Sequence, residues 1–174
     1  MNNSLSKLTA IVVTFKTDIK FLKNCLNSID SRVKVIIVEN SKNFIDKNEI
    51  ENQYKNVKIL CSGSNLGYGA GNNFGLKLVD TNYALISNPD VIYDKSFFEN
   101  INFYLNEKIN FSIIGTQYKN KSIFASHGFF DKKNKTDLDN NVLDYNEHNL
   151  KKCDWVVGCS MLLNLNFFKT KNIF

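Results

Sequence analysis

The chain has 174 residues, 43% of them hydrophobic and 13% aromatic, which is enough for one domain with a packed core and excludes a disordered chain. Its formal net charge of +5 comes from lysines spread along the chain, since Arg32 is the only arginine. This pattern lacks the arginine-rich stripe with interleaved aromatic residues that nucleic-acid-binding proteins carry, so we expect no nucleic-acid partner. Two interpretations of the excess charge stay open: solvated lysine faces, and peripheral association with an anionic membrane surface.

The N-terminal apolar run is too short for a signal peptide or a membrane span, and no span follows it. The sequence therefore predicts a cytoplasmic protein, with the inner face of the plasma membrane as the place of any peripheral association. The cysteines form no C-x-x-C pair and three of them lie in apolar stretches, which predicts buried reduced thiols rather than a zinc site: Cys25, Cys61, Cys153 and Cys159.

Apolar runs and amphipathic segments alternate through the first 110 residues. Continuous apolar runs predict buried strands at residues 8–15, 33–39, 57–60 and 83–87. After Asp18, which can cap a helix, one helical face carries Phe21, Leu22, Cys25, Leu26 and Ile29. Further helices are predicted at 45–54, from a glycine loop to about residue 79, and around an inward face of Phe97, Phe98, Ile101, Tyr104 and Leu105. This alternation predicts an α/β fold with a mainly parallel sheet.

The regular alternation of predicted strands and helices ends after residue 117. The stretch "SIFASHGFF" (122–130) predicts an antiparallel strand, and the polar residues 131–149 predict a long loop or flap. The stretch "DWVVGCSMLLN" (154–164) predicts one more buried strand, and "FFKTKNIF" (167–174) predicts the start of a helix.

A glycine-rich stretch, "GSNLGYGAGNNFG" (63–75), follows the third predicted strand. It fails the dinucleotide fingerprint because Asn72 stands where the third glycine is needed, and no Gly-Lys-Ser/Thr makes it a P-loop. We interpret it as a wall of a ligand site, where missing side chains let the backbone approach a flat or anionic ligand.

Mostly small, polar or acidic residues lie at or just after the ends of all four predicted strands: Thr14-Phe15, Glu39-Asn40-Ser41, residues 63–71, and Asn88-Pro89-Asp90. Each group alone is also typical of a simple turn. Parallel α/β sheets bind ligands outside the carboxyl ends of their strands, so the four groups together predict a ligand site at that edge.

Five stretches, "IVVTFK", "VIIVENS", "NLGYGAGNNFG", "YALISNPDV" and "DWVVGCSML", resemble in content and order the family 2 glycosyltransferases of the GT-A fold, in particular a rhamnosyltransferase-like branch that builds bacterial surface polysaccharide. The resemblance implies a Rossmann-like three-layer α/β/α fold and a single domain over residues 1–174. Residues 1–110 would bind the nucleotide sugar, and residues 111–174 would form part of the acceptor side. It also implies a UDP- or dTDP-linked sugar donor, Mg²⁺ or Mn²⁺, a saccharide or lipid-linked acceptor, and inversion at the anomeric carbon.

The resemblance also assigns individual residues. Thr14 and Glu39 would line the base pocket, with Glu39 accepting from a base N–H at a position where the family usually has aspartate. Asp90 would bind the metal, and the Gly158–Cys159 turn would lie under the donor sugar. The full set implied for donor binding is Thr14, Glu39, Asn40, Asn65, Gly67, Asn73, Asn88, Asp90, Gly158 and Cys159.

The catalytic base is not among these residues. In the family an acidic pair follows the "GCSML" strand after a short helix, so the resemblance implies a C-terminally truncated chain that binds donor but transfers sugar poorly. The alternatives are a module that binds nucleotide sugar without turnover and, disfavoured by the failed fingerprint, a nicotinamide-dependent oxidoreductase.

Overall fold

The computed structural model describes residues 4–107, 109–116, 118–120, 123–125, 127–131, 136–138 and 153–174. The first half alternates strands β1 to β4 with helices α1 to α4. In chain order these are β1 Leu8–Thr14, α1 Ile19–Ser28, β2 Lys34–Glu39, α2 Lys47–Gln53, β3 Val57–Cys61, α3 Tyr68–Leu76, β4 Tyr83–Ser87 and α4 Phe97–Asn106.

The second half contributes short strands: β5 Ile113–Gly115, β6 Tyr118–Asn120, β7 Ile123–Ala125, β8 His127–Asp131, β9 Thr136–Leu138, β10 Trp155–Val156 and β11 Ser160–Asn164. The central sheet has the order β3-β2-β1-β4-β11-β5. Strands β1 to β4 pair in parallel, whereas β11 runs antiparallel to both β4 and β5. The predicted α/β fold with a mainly parallel sheet is therefore confirmed.

Helices cover both faces of this sheet. Successive side chains of β1 point to opposite faces, so Val12 packs in the core beneath α1, α2 and α4, while Ile11 packs in the core beneath α3. Leu22 and Ile101 belong to the first core and Leu76 to the second. The arrangement is the predicted three-layer α/β/α fold.

The start of α1 agrees with the sequence, because the Asp18 side chain accepts a 2.8 Å hydrogen bond from the Lys20 N–H. One residue of its predicted inward face is wrong: Phe21 is 55% exposed, whereas Leu22, Cys25 and Leu26 are buried. The buried face of α1 is therefore narrower than the apolar pattern of the sequence suggested.

Helix α3 begins earlier than predicted. It starts at Tyr68, inside the glycine-rich stretch, so Gly69, Gly71 and Gly75 are helical rather than parts of a loop. Close packing explains this difference, because a Cβ on Gly75 would lie 2.7 Å from Ile11 Cγ2 on the sheet beneath. Gly71 and Gly75 thus let α3 lie close against β1 and β2.

The predicted strand at 154–164 is in fact two strands in different sheets. β10 pairs with β8, which also pairs with β9, whereas β11 enters the central sheet. The predicted antiparallel strand at 122–130 contains β7, which pairs with β6, and β8. β9 lies within the predicted loop 131–149, whose residues 132–135 and 139–149 lie outside the described part of the chain.

The helix predicted at 167–174 is also wrong. A 3₁₀ turn at Leu165–Phe167 is followed by irregular backbone that lies against α3. The amide groups of Ile173 and Phe174 donate to Asn73 Oδ1 at 2.8 and 3.0 Å, so this segment pairs with a helix side chain instead of forming its own helical hydrogen bonds.

All four cysteines are free, as predicted, but burial is confirmed for Cys25 alone, since Cys61, Cys153 and Cys159 are partly exposed. Across the described parts of the chain, no helix combines the length and the apolar character that crossing a membrane requires.

Candidate functional site

The ends of β1 and β2 place a hydroxyl beside a carboxylate. Thr14 and Glu39 are register partners, and the Thr14 hydroxyl donates a 2.6 Å hydrogen bond to Glu39 Oε2. Both side chains are buried, at 1% and 3% exposure. The Thr14 hydroxyl therefore helps to orient this carboxylate.

The connection from β3 to α3 folds back over the end of β2. Asn40 is 2% exposed and its Nδ2 donates to the Gly67 carbonyl at 3.0 Å, while the Gly67 N–H donates to Asn65 Oδ1 at 3.0 Å. Gly67 has φ 80° and ψ 177°, a conformation that glycine alone adopts readily. Asn65 and Gly67 are exposed. Asn40 thus holds the loop from beneath, and Asn65 and Gly67 form its surface.

A residue with a left-handed backbone follows the end of β1. Lys16 has φ 53°, and its Nζ lies 5.4 Å from the ring centroid of Phe15, which is exposed. Such conformations are uncommon outside glycine and concentrate at functional sites. The β1 end therefore presents an aromatic ring and a cation at the same edge as Thr14.

The end of β4 forms a turn that presents Asp90 to solvent. The Asn88 N–H donates to the Cys159 carbonyl at 2.9 Å, and the Ser87 hydroxyl donates to the Asn88 carbonyl at 3.1 Å. Burial raises the pKa of the Cys159 thiol, and the negative charge of Asp90 raises this pKa further. The structure thus brings Asp90 and the Gly158–Cys159 turn, which the sequence separates widely, to the same edge.

A buried network lies behind this turn. The Tyr93 hydroxyl and Ser160 Oγ are 3.1 Å apart, and the Cys25 thiol lies 3.7 Å from the Asn88 carbonyl as a weak donor. Burial raises the pKa of Tyr93 far above the ordinary value for tyrosine, so its hydroxyl stays protonated. These contacts fix the backbone that carries Asn88 and Asp90.

Asn73, one of the predicted donor ligands, makes its hydrogen bonds within the chain. It is buried, and its amide is engaged by backbone groups of Ile173 and Phe174, including a bond from Nδ2 to the Phe174 carbonyl. Its two polar atoms are therefore used by the chain itself, and we do not propose it as a donor contact.

Tyr68 is a site residue that the sequence reasoning missed. Its hydroxyl donates to the Gly158 carbonyl and so joins the start of α3 to the Gly158–Cys159 turn. The only signal in the sequence was an aromatic residue among small ones in the stretch 63–75.

Asp90 offers carboxylate oxygens, and Asn88, two residues earlier in the same turn, offers a side-chain amide oxygen. Within the described residues, no group of three His, Cys, Asp or Glu side chains is close enough to form a metal cluster. Mg²⁺ and Mn²⁺ fit such a sparse set, because they accept oxygen ligands and fill the remaining positions with water and substrate phosphates. Asp90 and Asn88 are the residues that could hold such a cation.

Taken together, this is a mainly parallel α/β sheet with polar groups at the carboxyl ends of its strands, the edge at which open α/β sheets bind ligands. Residues 9–162 match the model of glycosyl transferase family 2, and the chain belongs to this family. The predicted family is confirmed.

The chain is 24% identical over 184 residues to the low-salt glycan biosynthesis hexosyltransferase Agl10 of Haloferax volcanii, covering 95% of this chain and 55% of Agl10. The chain thus spans about half the length of this curated relative.

Solved structures show the same fold. S. aureus TarS 1–349 in complex with UDP-GlcNAc aligns with a TM-score of 0.58 and 18% identity, over 72% of this chain and 38% of that one. The mannosyltransferase PcManGT from Pyrobaculum calidifontis, in complex with GDP-Man and Mn²⁺, aligns with a TM-score of 0.52 and 10% identity, over 65% and 36%.

Proposed function

We propose that this chain binds a nucleoside diphosphate sugar at the carboxyl edge of its sheet and serves in transfer of that sugar to a saccharide or lipid-linked acceptor in surface polysaccharide synthesis. The observation that carries the proposal is the convergence of the Thr14–Glu39 pair, the start of α3, Asp90 and the Gly158–Cys159 turn on one edge. The nucleotide sugars named with the structural neighbours support this class of donor.

The base pocket is proposed at the ends of β1 and β2. The Thr14 hydroxyl uses one acceptor site of Glu39 Oε2 and leaves the other oxygen available to accept a base N–H, which suits uracil or thymine in a UDP- or dTDP-linked donor. The exposed Asn65 and Gly67 would border the base and ribose, and Asn40 would support them from below. Rhamnose is the sugar that the sequence resemblance favours.

The diphosphate is proposed to lie beside Asp90. Asp90 and Asn88 would hold Mg²⁺ or Mn²⁺, and the Mn²⁺ named with PcManGT supports this choice. Such a cation, when bound, supplies positive charge that neutralises the leaving diphosphate. The hydrogen bond from the Asn88 N–H to the Cys159 carbonyl keeps this turn beside the turn proposed to lie under the sugar.

Transfer is proposed to be a single displacement with inversion. Residues 1–110 would bind the donor, and residues 111–174, which add β5 and β11 to the same sheet, would contribute to the acceptor side. The carboxylates that we assign at this edge, Glu39 and Asp90, both have donor roles. Donor binding without transfer by this chain is the second candidate. A cytoplasmic location, peripheral at the inner face of the plasma membrane, stays a prediction.

A thermal-shift panel tests the proposal. UDP, dTDP, GDP, UDP-GlcNAc, dTDP-rhamnose and GDP-mannose would be added with and without Mn²⁺, and NADH would serve as the control for an oxidoreductase. We expect the melting temperature to rise with uracil or thymine nucleotides in the presence of Mn²⁺ and to stay unchanged with NADH. Stabilisation by none of the six nucleotides would contradict the proposed function. Assays with labelled donor and saccharide or lipid-linked acceptors then separate transfer from binding alone.

A further inference from the structure

The hydroxyl of Tyr68 links two segments that are 90 residues apart in the chain. We infer that Tyr68 is a positioning residue: it holds the Gly158–Cys159 turn at the distance from α3 that a donor sugar requires, and it thereby favours the nucleotide sugar over the bare nucleotide. The inference rests on the proposed function and deepens it, since it names the residue that sets the sugar end of the site.

The contact is specific in its geometry. Tyr68 is the first residue of α3, and its hydroxyl donates to the Gly158 carbonyl. A Cβ built on Gly158 would lie 3.9 Å from the same hydroxyl, so the phenol is seated directly against the turn. Tyr68 remains 42% exposed, so part of this residue is accessible to a bound ligand.

The ring of Tyr68 is held from its other side. It packs edge-on against Phe174, with centroids 6.5 Å apart and an interplanar angle of 66°. The backbone of Phe174 is fixed in turn, because its N–H donates to Asn73 Oδ1 at 3.0 Å. Asn73, Phe174 and Tyr68 thus form a row that aims the phenol at Gly158.

The Gly158–Cys159 turn also contacts the end of β4, which carries Asp90. The carbonyl of Cys159, the residue after Gly158, accepts the 2.9 Å hydrogen bond from Asn88. The Tyr68 hydroxyl and this bond therefore hold successive carbonyls of one turn, from α3 on one side and from the β4 end on the other. Burial also raises the pKa of Tyr68, so the hydroxyl stays a donor throughout the neutral range.

Tyr68→Phe removes the hydroxyl and keeps the ring beside Phe174. Tyr54→Phe is the matched control, because the Tyr54 hydroxyl makes a comparable exposed 2.8 Å hydrogen bond to Asn27 Oδ1 after the end of α2. Calorimetry would measure UDP and UDP-GlcNAc, then dTDP and dTDP-rhamnose, each with Mn²⁺. For Tyr68→Phe we expect about 5- to 10-fold weaker binding of the preferred nucleotide sugar, the effect of losing one hydrogen bond, with nucleoside diphosphate affinity within about twofold of wild type. Tyr54→Phe should change neither affinity.

Thiol labelling gives a readout that needs no ligand. Iodoacetamide should alkylate Cys159 faster in Tyr68→Phe than in wild type, with the partly exposed Cys61 as the internal reference. Unchanged Cys159 labelling, equal losses for nucleotide and nucleotide sugar, or a wild type without preference for the sugar would each overturn the inference. If wild type binds no nucleotide, the proposed function and the sugar preference both fail, and faster labelling would then support only the positioning of the turn by Tyr68.

Discussion

The Thr14 hydroxyl on β1 donates a 2.6 Å hydrogen bond to Oε2 of Glu39, its register partner at the end of β2. Both residues are almost fully buried, and the Asn40 N–H closes the same strand ends with a 2.7 Å bond to the Thr14 carbonyl. A buried carboxylate without its donor loses hydrogen-bond energy that water no longer supplies. Thr14 therefore has a structural role as well as its proposed place in the base pocket.

Thr14→Val should destabilise the protein by about 1–3 kcal/mol, because it keeps the shape of the side chain and leaves Glu39 Oε2 without its donor. Urea denaturation followed by circular dichroism measures this change in the free energy of unfolding. A change below about 0.5 kcal/mol, the size usual for surface substitutions, would mean that the hydrogen bond contributes little.

The double variant Thr14→Val with Glu39→Met separates stability from binding. Replacing both partners with apolar groups removes the unsatisfied acceptor, so we expect the double variant to be more stable than Thr14→Val alone. Nucleotide binding should be lost in the double variant, since the proposed acceptor for the base N–H is gone. Tight UDP or dTDP binding by this stable variant would remove Glu39 from the base pocket.

Two glycines of α3 should respond to alanine by different amounts. Gly75→Ala puts a Cβ 2.7 Å from Ile11 Cγ2 and 3.1 Å from Val38 Cγ2, and such overpacking of a core costs about 1–3 kcal/mol. At Gly69 a Cβ meets Phe174 Cβ at 3.3 Å, a mild crowding that the better helix propensity of alanine offsets, so Gly69→Ala should stay within about 1 kcal/mol of wild type. Thermal and urea unfolding of both variants test this, and equal effects would contradict the close packing of α3 on β1.

The sequence predicted the strands of the first half well, because a continuous apolar run is the pattern expected of a strand that is buried on both faces of a sheet. β4 at Tyr83–Ser87 matches its prediction at both ends, and the polar ends of β1, β2 and β4 lie at one edge as expected. The wrong predictions for α3 and for the C-terminal segment share a physical cause, which is tertiary contact. Helix α3 includes Gly71 and Gly75 despite their poor helix propensity, because only glycine fits so close to the sheet.

The sequence could not reveal partners distant in the chain. The family resemblance implied Asn73 as a donor ligand, yet its side-chain amide binds backbone 100 residues later. The sequence did not indicate a role for Tyr68 for the same reason, because its partner Gly158 lies 90 residues later, beyond several intervening strands. Roles that depend on such pairs need the fold before they can be assigned.

The thiol of Cys25 should make stability fall in alkaline solution. Burial raises its pKa from an ordinary value of 9.0 to about 11. Between these values the unfolded chain loses the proton while the folded chain keeps it, so the contribution of Cys25 to stability is complete below pH 9 and is lost as pH rises toward 11. The stability difference between wild type and Cys25→Ala should therefore shrink by about 2 kcal/mol from pH 8.5 to 10.5. Urea titrations at both pH values measure it, and a constant difference would show that Cys25 does not titrate as a buried thiol.

Asp90 should couple nucleotide binding to a divalent cation. Its carboxylate is exposed on the turn after β4, so Asp90→Asn should leave the free energy of unfolding within about 0.5 kcal/mol of wild type. The same change weakens the oxygen donor set for Mg²⁺ or Mn²⁺. Since even outer-shell partners of a metal contribute about 10–100-fold to its affinity, we expect at least that loss in Mn²⁺-dependent UDP binding.

Asp80 provides the matched control for this variant. Asp80 is equally an exposed aspartate, but it pairs with Lys34 at 2.8 Å, at the start of β2 and thus at the opposite edge of the sheet. Calorimetric titrations of UDP with and without Mn²⁺ would compare Asp90→Asn with Asp80→Asn. Asp80→Asn should retain the Mn²⁺ dependence, because its carboxylate lies at the far ends of the strands from the Thr14–Glu39 pair and the Gly158–Cys159 turn. If Asp90→Asn retained it as well, the metal would have to be held by other groups, and the assignment of Asp90 would be wrong.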